Sequence, residues 1–105
     1  MKNLLPSFIL RIMSGKATRQ VSRSRFEFEE DGQIAYLEFE VDDLGWITLL
    51  HTEVPPSLRG RGIGGILART ALEYARDHHL KVDVVCPVVA GFIEKNPEFK
   101  TLIGS

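Results

Sequence analysis

Three groups of residues in this 105-residue chain have types and spacings that could do chemistry. Residues 51–65 read His-Thr-Glu-Val-Pro-Pro-Ser-Leu-Arg-Gly-Arg-Gly-Ile-Gly-Gly and hold four of the nine glycines. An apolar run ends there and a helical pattern begins. The first amides of a helix have no partner within it, and glycine lets another group approach them closely, so the stretch suits an anion, most often a phosphate. Arg59 and Arg61 add guanidiniums to that reading. A tight turn with solvated arginines fits the glycine cluster alone equally well. His51 and Glu53, two apart on one strand face, could hold or relay a proton; each also reads as an ordinary strand-end side chain. Cys86 is the sole cysteine and could act as a nucleophile, although most free cysteines are buried small hydrophobes. His78 and His79 close a helical pattern, where a cation suits the dipole, and read as structural.

The elements that must position these residues are legible from periodicity. Phe26 and Phe28 alternate with charged residues, Asp31-Gly32 is a hairpin signal, and Ala35, Leu37, Phe39 and Val41 alternate with polar neighbours. Residues 42–45 supply the next turn. Residues 46–50 are nearly continuous in apolar character, as a central strand covered on both faces would be. Beyond the glycines the period changes to 3.6: Ile63, Ile66, Leu67, Thr70, Ala71, Tyr74, Ala75 and His78 share one face of an amphipathic helix, with Arg69 and Glu73 paired on the other. Residues 81–86 read as a short strand parallel to the one at 46–54, Pro87 ends it, and a second short helix over 88–95 closes at Asn96-Pro97. Phe99, Leu102 and Ile103 read as packing residues of the C-terminal tail.

Composition bounds the rest. The length fits one domain, and 44% hydrophobic with 26% charged residues is ordinary for a globular chain. The net charge of −1 hides an asymmetry: six basic and no acidic residues precede Glu27, leaving a net of −7 afterwards. Such a body argues against nucleic-acid binding. The apolar patch at 4–13 is broken by Pro6 and Arg11 and too short to span a membrane. Residues 1–22 are expected to be a flexible tail and 23–105 the folded domain. One cysteine excludes an intrachain disulfide and a cysteine-rich metal site, and a reducing, cytoplasmic location is expected. The basic, acid-free start also resembles an organellar transit segment.

Three phosphate motifs compete for the loop. No Gly-Lys-Ser or Gly-Lys-Thr is present to make a P-loop. Gly60, Gly62 and Gly65 satisfy G-x-G-x-x-G, but no further strand-helix units follow and Asp83 lies inside the next strand, where a ribose ligand does not belong. The third pattern, Arg/Gln-x-x-Gly-x-Gly/Ala, is filled by Arg59, Gly62 and Gly64. Placed between a strand and an amphipathic helix, it resembles the acetyl-CoA motif of the GNAT superfamily of N-acetyltransferases. The run His51 to Pro55 before it and the Cys86-Pro87 pair after the next strand are similar to the small single-domain YjdJ-type GNAT-like proteins. The likeness spans residues 23–103.

That resemblance implies a mixed α/β fold of GNAT type: a three-stranded antiparallel meander, then a βαβ unit with splayed parallel strands, then a short C-terminal helix. It implies acetyl-CoA as cofactor, with its pyrophosphate on the amides of the loop (Arg59, Gly60, Arg61, Gly62, Ile63, Gly64 and Gly65) and its pantetheine near Glu53 and Val54, where Pro55 and Pro56 would break the ladder. Transfer of acetyl to a small-molecule or protein amine would then use Glu53 or His51 as base. Cys86, at the cleft, is a candidate transient acetyl carrier. Two features depart from the family pattern. Phe92 stands where many members carry an acidic tyrosine. No helical segment precedes Phe26 to wall the acceptor, which a homodimer or partner would then complete. A non-catalytic acyl-CoA-binding module, or a structural protein retaining the fold, are the alternatives.

Overall fold

The computed structural model describes residues 9–11 and 21–104. Five strands form one sheet in sequence order: β1 (Ile9–Arg11), β2 (Val21–Glu30), β3 (Gln33–Asp42), β4 (Trp46–Glu53) and β5 (Lys81–Val84). The first three pairings are antiparallel and β4–β5 is parallel. β1 lies within the segment expected as a tail and pairs with β2 from Ile9↔Arg23 to Arg11↔Val21, so the sheet begins before the expected domain boundary. Val21 and Ser22 of that segment open β2, and residues 1–8 and 12–20, with the transit-like reading placed on them, lie outside the described residues.

Strict alternation builds the β2–β3 hairpin. All ten residues pair from Val21↔Asp42 to Glu30↔Gln33, and Phe26, Phe28, Ala35, Leu37 and Phe39 are buried on one face. Asp31 and Gly32 both take positive φ, 54° and 73°, the two-residue turn whose twist matches that of the strands. At the next turn the Asp42 carboxylate accepts the Leu44 and Trp46 amides at 2.9 and 3.0 Å.

Helices α1 (Ile63–Asp77) and α2 (Pro87–Lys95) cover the Phe26–Phe39 face. In β4, Ile47 and Leu49 are buried while Trp46, Thr48 and Leu50 are half-buried. The strand is therefore not covered by helices on both faces, as its apolar run had suggested. Trp46 is sheltered instead by Lys81, whose ammonium stands 5.7 Å from the ring centroid, and by Gly104 against the indole.

The amphipathic helix forms as expected, but its buried stripe is wider. Leu67, Ala71 and Ala75 are joined by Ala68 and Leu72, while Ile66 and Tyr74 are half-buried. Gly64 abuts Val88, so the flank on which Gly64, Ala68 and Leu72 follow one another lies toward α2. The Arg69–Glu73 pair is present at 3.7 Å. His79, at φ 55°, ends the helix: its amide reaches Arg76 O at 3.2 Å and the Leu80 amide reaches Ala75 O at 2.8 Å. His78 stacks on Tyr74 at 4.0 Å. Both histidines thus serve the helix end.

β5 is two residues shorter than expected, because Pro87 opens α2 and the chain turns ahead of it. A 3-10 segment, Pro97–Leu102, buries Phe99 against the core, and Ile103 makes a single parallel bridge to Val82.

Candidate functional site

The site is built where β4 outruns β5. Their pairing ends at Leu49↔Val84, and the Leu49 carbonyl accepts both the Val85 and Cys86 amides, at 3.0 and 2.9 Å. No further β4–β5 pair forms among the described residues. β4 continues to Glu53 with β3 on one side and an open edge on the other.

A bulge fixes what that edge presents. Phe39 pairs with Leu49, but Glu38 pairs with His51, so Leu50 is an extra residue in β4. Without it, two-residue alternation from Ile47 and Leu49 would carry His51 and Glu53 into the core. One inserted residue reverses the faces. Thr52, opposite buried Leu37, turns to the core side, and His51 and Glu53 turn to the sheet face that carries no helix. The pairing of β4 ends at Glu53, just ahead of Pro55 and Pro56 as expected, and the ladder is interrupted once more, at Leu50.

His51 and Glu53 are brought together: Nε2 and Oε1 are 3.1 Å apart, and the side chains are 55% and 49% exposed. The ring of Tyr36, the cross-strand partner of Glu53, lies edge-on to the imidazole with the ring centroids 6.4 Å apart. Cys86, two residues beyond β5 and the N-cap of α2, has a different outlook. It is 1% exposed, packed within the core, and its Sγ lies 3.2 Å from Thr52 Oγ1. Thr52 was missed by sequence reasoning, since the bulge that turns it toward Cys86 leaves no mark on composition.

Past Glu53 the chain makes a 3-10 turn at Pro56–Leu58, pinned by Leu58, which is buried. Gly60 and Gly62 adopt positive φ, 80° and 77°, a conformation costly for any side chain. Gly62 is the N-cap of α1 and offers no side-chain cap, and the first turn contains no acidic residue. Among the described residues no side chain claims the leading amides of α1, including those of Ile63, Gly64 and Gly65, at the positive end of a 15-residue helix, which fits a bound pyrophosphate.

Both arginines are exposed, yet each already has a partner within the protein. Arg59 donates from Nε to the Val54 carbonyl at 3.0 Å. Arg61 donates from Nη1 to Glu30 Oε2 at 2.6 Å and to Asp31 Oδ2 at 3.3 Å, and these hydrogen bonds raise its pKa above the ordinary arginine value. Gly64 and Gly65 also face α2. A Cβ on Gly64 would meet Val88 Cγ1 at 3.3 Å, and one on Gly65 would meet the Phe92 ring at 3.7 Å. Gly64 thus lets α2 approach α1, whereas a side chain at Gly65 would make only ordinary contact. Phe92 packs in turn near Phe99, with the Arg69 guanidinium 5.3 Å above it. Two clefts lie elsewhere: about 500 Å³ bounded by Val84, Ile93, Lys100 and Ile103, and about 270 Å³ bounded by Asp42, Trp46 and Asp83.

With this geometry in view, comparisons with known proteins give a consistent answer. The sequence model of the GCN5-related N-acetyl-transferase family matches residues 25–102. Protein NATD1 of Xenopus tropicalis is 33% identical over 92 residues, covering 88% of this chain and 82% of that protein. Protein NATD1 of Danio rerio is 34% identical over 88 residues, 84% of this chain and 77% of its own length. The match to Protein NATD1 of Bos taurus is 41% over 51 residues, 49% of this chain and 45% of the bovine protein, so there the alignment spans under half of the relative. A βαβ unit with diverging parallel strands, a bulged β4 and a glycine-capped helix start is thereby accounted for: the chain belongs to the GCN5-related N-acetyltransferase family.

Proposed function

We propose that the protein binds acetyl-CoA and transfers the acetyl group directly to an amine. The observation that carries this reading is that two sets of backbone groups without a partner among the described residues, the α1 amides at 63–65 and the β4 edge beyond Leu49, lie on either side of the point where β5 stops pairing. The cofactor supplies an activated acetyl thioester. Residues 63–65 hold its pyrophosphate through backbone amides, and the open edge of β4 hydrogen-bonds its extended arm and polarises the thioester carbonyl.

Glu53, oriented by His51, takes the proton from the amine as its nitrogen attacks the carbonyl carbon. Breaking of the carbon–sulfur bond would release the CoA thiolate, whose proton would have to come from water, since the Phe92 side chain has none to give. Direct attack suits the exposed dyad better than a relay through Cys86, whose buried thiol is engaged by Thr52. The same lack of a donor at Phe92 favours the second reading, a CoA-binding module that does not transfer.

The test is a titration with acetyl-CoA and with CoA, followed by amide chemical shifts. Shifts at residues 50–54 and 60–66 are expected; none at millimolar ligand overturns both readings. Acetylation of a panel of amines by the protein that binds then separates enzyme from module.

A further inference from the structure

We propose that Arg61 is a positioning residue and not a phosphate ligand: the tip of the β2–β3 hairpin holds it, and through it holds the loop that presents the α1 amides. This inference rests on the CoA reading above and assigns to the site two residues, Glu30 and Asp31, that no motif contains.

The fold makes the contact a matter of lengths. β4 stops pairing at Tyr36↔Glu53, whereas the hairpin runs on past it to Glu30↔Gln33. The chain leaving Glu53 therefore travels beside a two-stranded arm closed by a tight turn, and Arg61 meets the acids at its tip across 31 and 30 residues of sequence. Ten consecutive cross-strand pairs make that arm a firm support. The loop needs support, because Gly60 and Gly62 on either side of Arg61 leave its backbone with wide freedom.

Charge decides between a tether and a ligand. One guanidinium between two carboxylates carries a net of −1, so a phosphate approaching the triad meets no net positive charge. The anion is left to the amides of α1, where no carboxylate occupies the first turn. The triad is exposed, and each pair contributes modestly. Its value lies in restricting a glycine loop before the ligand arrives.

The experiment measures CoA affinity by calorimetry in the full chain for the wild type, R61E, E30Q/D31N and the charge-swapped pair R61E/E30R. Hydrogen exchange of the amides at 60–66 is followed without ligand. A tether predicts that E30Q/D31N weakens CoA roughly threefold to tenfold although Arg61 is untouched, the affinity equivalent of the two exposed ion pairs it removes. It also predicts faster exchange at 60–66 in R61E, and recovery of both affinity and protection in the swap. A direct phosphate ligand predicts the reverse: E30Q/D31N binds CoA as well as or better than the wild type, and R61E/E30R stays as weak as R61E. Either of those results overturns the proposal. Should the wild type bind no CoA, the proposed function fails, and the exchange rates alone still judge the tether: unchanged protection at 60–66 in E30Q/D31N rejects it.

Discussion

Thr52 Oγ1 and Cys86 Sγ meet 3.2 Å apart just beyond the point where β4 and β5 separate. The contact joins the two strand ends on the core side, below an edge of β4 that has no strand beside it. Either group can donate, and with Cys86 1% exposed the pair satisfies a hydroxyl that turns toward the core only because Leu50 is bulged.

Cys86→Ala should therefore destabilise the protein by about 1–3 kcal/mol, through a lost sulfur and a hydroxyl without its partner. Cys86→Ser, which keeps a donor and acceptor, should cost less. Urea unfolding gives both values. Acetyl transfer should survive each change; a folded Cys86→Ser protein that binds acetyl-CoA normally and transfers nothing would restore the thiol as a carrier.

Two glycines of the same motif should answer differently to alanine. Gly62→Ala forces a side chain into positive φ at the N-cap and should cost about 1–2 kcal/mol, with weaker CoA binding. Gly64→Ala gains up to about 1 kcal/mol of helix propensity against a close approach to Val88 Cγ1, so stability should change by less than about 1 kcal/mol and CoA affinity should hold. Adding Val88→Ala removes the crowding. Thermal unfolding with parallel CoA titrations distinguishes a packing glycine from a ligand-facing one.

Glu53→Gln should lower the transfer rate by about a hundredfold or more while leaving the Kd for CoA within about twofold, because the side chain stands on the open face and not on the loop. His51→Gln, which removes the partner at 3.1 Å, should have a smaller effect in the same direction. Equal rates for Glu53→Gln and the wild type would remove the dyad from the chemistry.

How much of this was legible in the sequence can be argued residue by residue. Alternation at Phe26, Phe28, Ala35, Leu37 and Phe39 and the Asp31-Gly32 pair dictate a hairpin, because side chains alternate across a strand and only a left-handed pair closes it tightly. The change to a 3.6 period after Gly62 dictates α1, and the glycines before it indicate an anion site. These are local properties, set by near neighbours along the chain. Tertiary structure decided what local rules leave open. An unpaired Leu50 determines that His51 and Glu53 face outward and Thr52 inward, and that bulge depends on register against β3. Arg61 meets Glu30 and Asp31 because a hairpin longer than its neighbouring strand brings residues some 30 positions apart together. Gly64 is matched to Val88, a residue of another helix. Charge and shape at the loop were written in its residues, whereas the partner each residue would take depended on the lengths of elements elsewhere in the sheet.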